Sequence, residues 1–116
     1  MIKYISILLL LSAAGCATQN ELYYWGEYED TIYNTYKNPG EMPIERQVEI
    51  LEADFEKAKS KNKPVPPGWH AHLGLLYYDL GKLDQASREF QTEKANFPES
   101  NVMVSRFLKP KQKAKK

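Results

Sequence analysis

Residues 66–100 read PPGWHAHLGLLYYDLGKLDQASREFQTEKANFPES, and the fold turns on how this stretch is parsed. It divides at Gly81 into two helical segments. Gly81 suits the left-handed position that closes a helix. Asp84 can cap the second segment or favour its N-terminus. Gly74 and Ala86 are small, so the two helices can approach closely. Tyr77 and Phe90 supply the bulk beside that contact, and Pro98 marks the exit. The stretch predicts a helical hairpin.

The spacing resembles a tetratricopeptide repeat, a helix–turn–helix unit of about 34 residues. Leu73, Gly74 and Tyr77 match its first helix, Gly81 its turn, Ala86 and Phe90 its second helix and Pro98 its exit. Two positions depart from the pattern. His70 stands where the family often has a bulky aromatic, with Trp69 one place earlier, and Glu93 stands where a small residue is usual. A single repeat cannot bury its own apolar face, so other helices must cover it.

Upstream, Ile44, Val48, Leu51, Phe55 and Ala58 recur at steps of four, three, four and three. That is one face of a helix over Pro43–Lys61. Pro43 suits a first turn, and Glu45 and the lysines at 57, 59 and 61 suit the macrodipole. The flanks KNPGEMP and NKPVPPG are turn chemistry. A further helix is expected over Glu21–Tyr36, with Leu22, Trp25, Ile32 and Tyr36 on one face, and a capping helix over Glu99–Leu108 that uses Val102, Met103 and Phe107. The expected fold is all-α: a short tetratricopeptide-like array of about two helix pairs plus a capping helix, spanning residues 21–108.

The N-terminus reads differently. Lys3 precedes an apolar run, Ile5–Leu11, that is too short to span a bilayer, and small residues follow it. This is signal-peptide layout over residues 1–15. AAGC at 13–16 resembles a bacterial lipobox, although Ala13 replaces the usual Leu. The resemblance implies diacylglycerol and palmitate-type acylation of Cys16, cleavage before it, and a linker over 16–20. Ala17, where the lipoprotein family uses Asp for inner-membrane retention, implies the periplasmic face of the outer membrane. The alternative is an ordinary signal peptide that leaves Cys16 a free thiol. As the only cysteine it can form no disulfide within the chain, and an unpaired thiol is a liability in an oxidising compartment.

Charge is segregated. Ala17–Ser105 carries fifteen acids against nine basic residues, and Arg106–Lys116 carries six basic residues and no acid. An acidic body thus ends in a basic tail, residues 109–116, expected to be disordered. The tail is a solvated terminus, or it meets anionic headgroups or an acidic partner surface. Nucleic acid does not fit a periplasmic protein.

Six residues of 21–36 are Tyr or Trp. Some are expected in the core: Trp25 and Tyr36, beside Ile32. Tyr23, Tyr24, Tyr28 and Tyr33 are expected to point outward. Four linker residues after Cys16 reach about 14 Å at most, so this helix would lie near the bilayer. Tyr and Trp suit membrane interfaces and binding hot spots. Tyr24, Tyr28 and Tyr33 are therefore the candidate partner-binding residues.

Catalytic, cofactor and metal sites are not expected. His70 and His72, at i and i+2 on a helix, point to different faces and read as a partly buried packing residue and a surface residue. The carboxylates read as solvated. No phosphate loop, nucleophile elbow or H-E-x-x-H is present. The lipobox, YYWGEYEDTIY, PIERQVEILEADFEKA, the proline loop and PPGWHAHLGLLYYDLGK together resemble a family of small Gram-negative lipoproteins of unknown function, encoded beside a curli-pore-type lipoprotein. That resemblance implies an accessory role in an outer-membrane assembly. The expected function is a non-enzymatic, lipid-anchored adaptor for envelope proteins, with a curli-pore-type lipoprotein as the implied partner. The alternatives are a periplasmic enzyme or enzyme subunit, and a structural lipid- or cell-wall-associated protein.

Overall fold

The computed structural model describes residues 21–108. The expected leader over 1–15, Cys16 with its linker, and the 109–116 tail lie outside the described residues. Within them the chain is all helical: α1 (Tyr28–Lys37), α2 (Ile44–Ser60), α3 (Trp69–Asp79), α4 (Leu83–Asn96), a 3-10 turn (Pro98–Ser100) and α5 (Asn101–Leu108). No strand occurs among the described residues.

The centre is α3. It is apolar nearly all round, the composition of a helix enclosed on several sides. Trp69, His70, Ala71, Leu73, Gly74, Leu76 and Tyr77 are all buried. Helix α4 packs along one side through Ala86 and Phe90. A Cβ on Gly74 would fall 2.6 Å from the Phe90 ring, so the ring sits directly on the α3 backbone. Helix α3 ends as a Schellman motif: Gly81 has φ +76°, its N–H bonds the Tyr78 carbonyl at 3.0 Å, and the Lys82 N–H bonds the Tyr77 carbonyl at 2.9 Å. Asp84 lies in the first turn of α4, which has no side-chain cap. The hairpin expected from residues 66–100 is present.

Helix α2 meets the other side of α3 along Val48, Leu51 and Ala58, which are buried. It too ends in a Schellman motif, with Asn62 at φ 52° and the Lys63 N–H bonded to the Ala58 carbonyl at 3.0 Å.

Helix α1 departs from expectation. It begins at Tyr28, not Glu21, because Gly26 takes φ +50° and the Tyr24 N–H is spent on the Pro64 carbonyl at 2.8 Å. Residues 21–27 are therefore a strap, and the helical face is reset. Its inner stripe is Tyr28, Thr31, Ile32 and Thr35, at i, i+3, i+4 and i+7. Leu22 and Tyr36, expected inside, are 70% and 82% exposed. The threonine hydroxyls are turned to their own helix, Thr31 Oγ1 donating to the Glu27 carbonyl at 2.7 Å and Thr35 Oγ1 to the Thr31 carbonyl at 2.8 Å; Thr35 Oγ1 also lies 3.1 Å from Gln47 Oε1, and buried Gln47 donates to the Met42 carbonyl at 3.0 Å.

Helix α5 also turns differently. Val104 is its buried residue, at 0% exposure, whereas Val102 and Met103 are exposed. Phe107 does reach the body, stacking on Phe90 with ring centroids 5.0 Å apart.

Candidate functional site

Two helix N-termini are closed by acids borrowed from other helices. The start of α3 is preceded by Pro66 and Pro67, which have no N–H, and by Gly68. Two of its first donors converge on Glu93 of α4, the Gly68 N–H at 2.7 Å and the Ala71 N–H at 3.3 Å, and the Ser100 hydroxyl from the 3-10 turn after α4 donates to the same carboxylate at 3.2 Å. Glu93 is fully buried. The start of α1 uses Asp54 of α2, also buried, whose carboxylate accepts the Glu27 N–H at 2.6 Å. A side chain at Gly26 would collide with that carboxylate. Anionic groups at helix N-termini answer both the orphan donors and the macrodipole. The expectation that the carboxylates are solvated fails at these two positions. The signal was present: Asp54 falls three residues after Leu51 on the apolar stripe of α2, and Glu93 stands where the repeat that residues 66–100 resemble usually has a small residue.

The aromatic strap locks onto the same region. Tyr23 packs edge-on against Trp25 and Phe97, Trp25 lies tilted by 32° against Tyr28, and Tyr28 packs edge-on against His72. Tyr28, expected outward, is 8% exposed. Burial, then the nearby Glu93 and Glu29 carboxylates, push its hydroxyl up to about 12. Tyr24 is half-buried against the core, with Lys61 Nζ 5.1 Å above its ring. Of the three tyrosines expected to bind a partner, only Tyr33 is outward, at 60% exposure.

His72 is not a surface residue. Its Nε2 is buried with no hydrogen-bond partner, and burial lowers its pKa below 6.5. The unfolded chain therefore takes up this proton before the folded one does. Stability is fully present above about pH 6.5 and is lost as pH falls below it, at no more than about 1.4 kcal/mol per pH unit. Denaturant titrations from pH 7.5 to 5 should show this loss, and His72→Phe should flatten that component.

The principal concavity lies between α2 and the α3–α4 pair, with a volume of about 610 Å³. Helix α2 presents Glu49, Glu52, Ala53 and Glu56 to it, at i, i+3, i+4 and i+7. Its floor is aromatic: Phe55 stacks on buried Trp69, with centroids 5.4 Å apart and planes at 26°. His70 stands edge-on to both rings, and its Nδ1–H donates to Glu89 Oε2 at 2.6 Å. Tyr77 donates its hydroxyl to the Glu52 carboxylate. Burial, reinforced by that bond, raises the Tyr77 pKa, so the hydroxyl stays a donor. Four glutamates thus rim an apolar floor, and no Lys or Arg lines it. Thr92 is its only hydroxyl nucleophile besides Tyr77, and the Thr92 Oγ1 is bonded to the Arg88 carbonyl at 2.9 Å.

Leu73 and Tyr77 line this groove, while Gly74, Ala86 and Phe90 form the contact behind it. Gly81 and Pro98 sit at the ends of helices as turn and exit. Among the described residues no group of three or more His, Cys, Asp or Glu is placed to hold a metal ion. No described helix is long and apolar enough to cross a membrane.

The family described as a domain of unknown function, DUF4810, matches residues 22–107. No curated protein and no solved structure matches the chain.

Proposed function

The chain belongs to the DUF4810 family, a domain of unknown function, and from that premise we propose that it is a non-catalytic adaptor of the cell envelope, lipid-anchored at Cys16 to the periplasmic face of the outer membrane. The α2–α3 groove carries this reading. An aromatic floor with a charged rim offers contact area with little side-chain entropy to lose, which is the build of a docking surface. The α3–α4 hairpin, with its Gly74–Phe90 contact and Gly81 turn, supports a tetratricopeptide-like unit, and α1–α2 serve as its degenerate neighbour. The partner is an envelope protein, and the resemblance to lipoproteins encoded beside a curli-pore-type lipoprotein names the first one to test.

The N-terminal half of the reading rests on AAGC before the single cysteine. Mature protein should carry a lipid mass on Cys16 and fractionate with outer membranes. Cys16→Ser should remain uncleaved. An unmodified thiol in the soluble periplasm contradicts the anchor.

With a tether of about 14 Å at most, exposed Leu22 at the start of the strap is held near the headgroups or a membrane-bound partner. The groove is tested by Ala53→Trp, which fills it from an exposed position. Helicity and anchoring should be unchanged, and co-purification with the envelope partner should be lost. Undiminished co-purification would move the docking surface elsewhere.

The enzyme alternative has one observation in its favour, the His70–Glu89 pair within a concavity. It lacks a nucleophile poised on that imidazole, since the Thr92 hydroxyl is turned to its own helix.

A further inference from the structure

We propose that the α2–α3 groove is occupied by this chain's own basic C-terminal segment, residues 109–116, folded back across the end of α3.

Three observations converge on that occupant. The first is where the described chain ends. The last turn of α5 lies against the C-terminal end of α3: Phe107 stacks on Phe90 at 5.0 Å and meets Tyr78 edge-on at 6.3 Å, and Leu108 is half-buried against the core. Tyr77, the neighbour of Tyr78, already lines the groove and bonds Glu52 within it. The chain therefore leaves the fold beside the C-terminal end of α3, the helix whose Tyr77 lines the groove. Eight further residues extend up to about 27 Å. They can cross the end of α3 and run along the face of α2.

The second is charge. The segment holds five lysines and no acid, and the groove is lined by Glu49, Glu52, Glu56 and Glu89 without a lining Lys or Arg. Glu49 and Glu56 pair with Arg46 and Lys59 at 2.9 and 2.8 Å, but both are exposed i,i+3 pairs. Such pairs are worth about 1 kcal/mol or less and exchange readily. Glu52 is bonded to a hydroxyl, which leaves its charge open to an ammonium.

The third is the floor. Phe55 already takes an ammonium, with Lys59 Nζ 5.1 Å from its centroid. Lysine stems can lie on such a floor with their heads at the acidic rim. This inference needs no partner, so its failure leaves the adaptor reading standing, and the converse also holds.

The test is paramagnetic relaxation on the full chain in detergent, with Cys16→Ser and a spin label on Ala114→Cys. Amide signals of Glu49, Glu52, Ala53 and Glu56 should lose most of their intensity. The loss should vanish in about 1 M salt, where the Debye length is about 3 Å. It should also vanish in a Lys109→Gln, Lys111→Gln, Lys113→Gln variant, which alters nothing within the described fold. Full intensity at the groove in the parent, or a loss unaffected by salt and by the lysine variant, overturns the proposal. A mixture of labelled unenriched chain with unlabelled enriched chain checks the topology. Groove broadening in that mixture assigns the site to the tail of a second copy and overturns the fold-back.

Discussion

Phe90→Ala should lower stability by about 3–5 kcal/mol, read as a shift in the denaturant midpoint at unchanged slope or as a fall in Tm of more than about 12 °C. Phe90 is 2% exposed, and its ring rests on the bare backbone of Gly74 and is covered on its other side by Phe107. Truncation removes the ring that joins three helices, and rigid helix backbones cannot collapse into the gap. Domains of this size have about 5–15 kcal/mol in total, so the loss is a large share of it. Gly74→Leu should reach the same contact from the opposite direction, overpacking it at a cost of about 1–3 kcal/mol or more. A change under about 1 kcal/mol for Phe90→Ala would mean that α3 and α4 do not meet at this point.

Glu93→Leu should cost about 3–5 kcal/mol, although it replaces a buried acid with an apolar side chain of similar volume. The acid accepts the Gly68 and Ala71 N–H groups at the start of α3. With Leu in its place both donors stay buried without a partner, at about 1–3 kcal/mol each, and the helix loses the negative charge at its N-terminus. Glu93→Gln keeps an acceptor at one of the two carboxylate positions, for the Gly68 N–H, and sets an amide NH2 against the Ala71 N–H, so it should cost less than Glu93→Leu without being neutral. That ordering separates capping from packing: if Gln and Leu were equally damaging, or if Leu were neutral, Glu93 would not be holding the helix start.

Where apolar spacing was unambiguous, the sequence was a sound guide. Ile44, Val48, Leu51, Phe55 and Ala58 placed α2 to within a residue at either end, and Gly81 marked the α3–α4 turn. The misreadings share a cause. Across 21–36 the many tyrosines allow more than one apolar stripe. The choice between stripes depends on where the helix starts, and that start is moved to Tyr28 by the positive φ of Gly26 and by the bonds of its neighbours Tyr24 and Glu27 to Pro64 and Asp54 in distant parts of the chain. The stripe that is buried contains threonines, which periodicity counts as polar. In α5, Val102, Met103, Val104 and Phe107 offer several faces over barely two turns, and only the position of α4 selects Val104. Asp54 and Glu93 were hidden because a carboxylate is read as solvated unless its donors, here on other helices, are known. The groove was legible only as a pattern of glutamates on one side of α2; its aromatic floor needs α3 set against α2.

The adaptor reading stands or falls on whether the groove meets another protein in the envelope. Site-specific photo-crosslinking from Ala53, which is exposed and lines the groove, measures that directly in intact cells, with Lys94 on α4 as the control position. A discrete adduct with an envelope protein is expected from position 53, absent from position 94 and lost when residues 1–16 are replaced by a cleavable signal peptide without a lipid-accepting cysteine, which releases the protein from the membrane. Equal labelling from both positions, or no adduct from 53 in a folded, anchored protein, would contradict it.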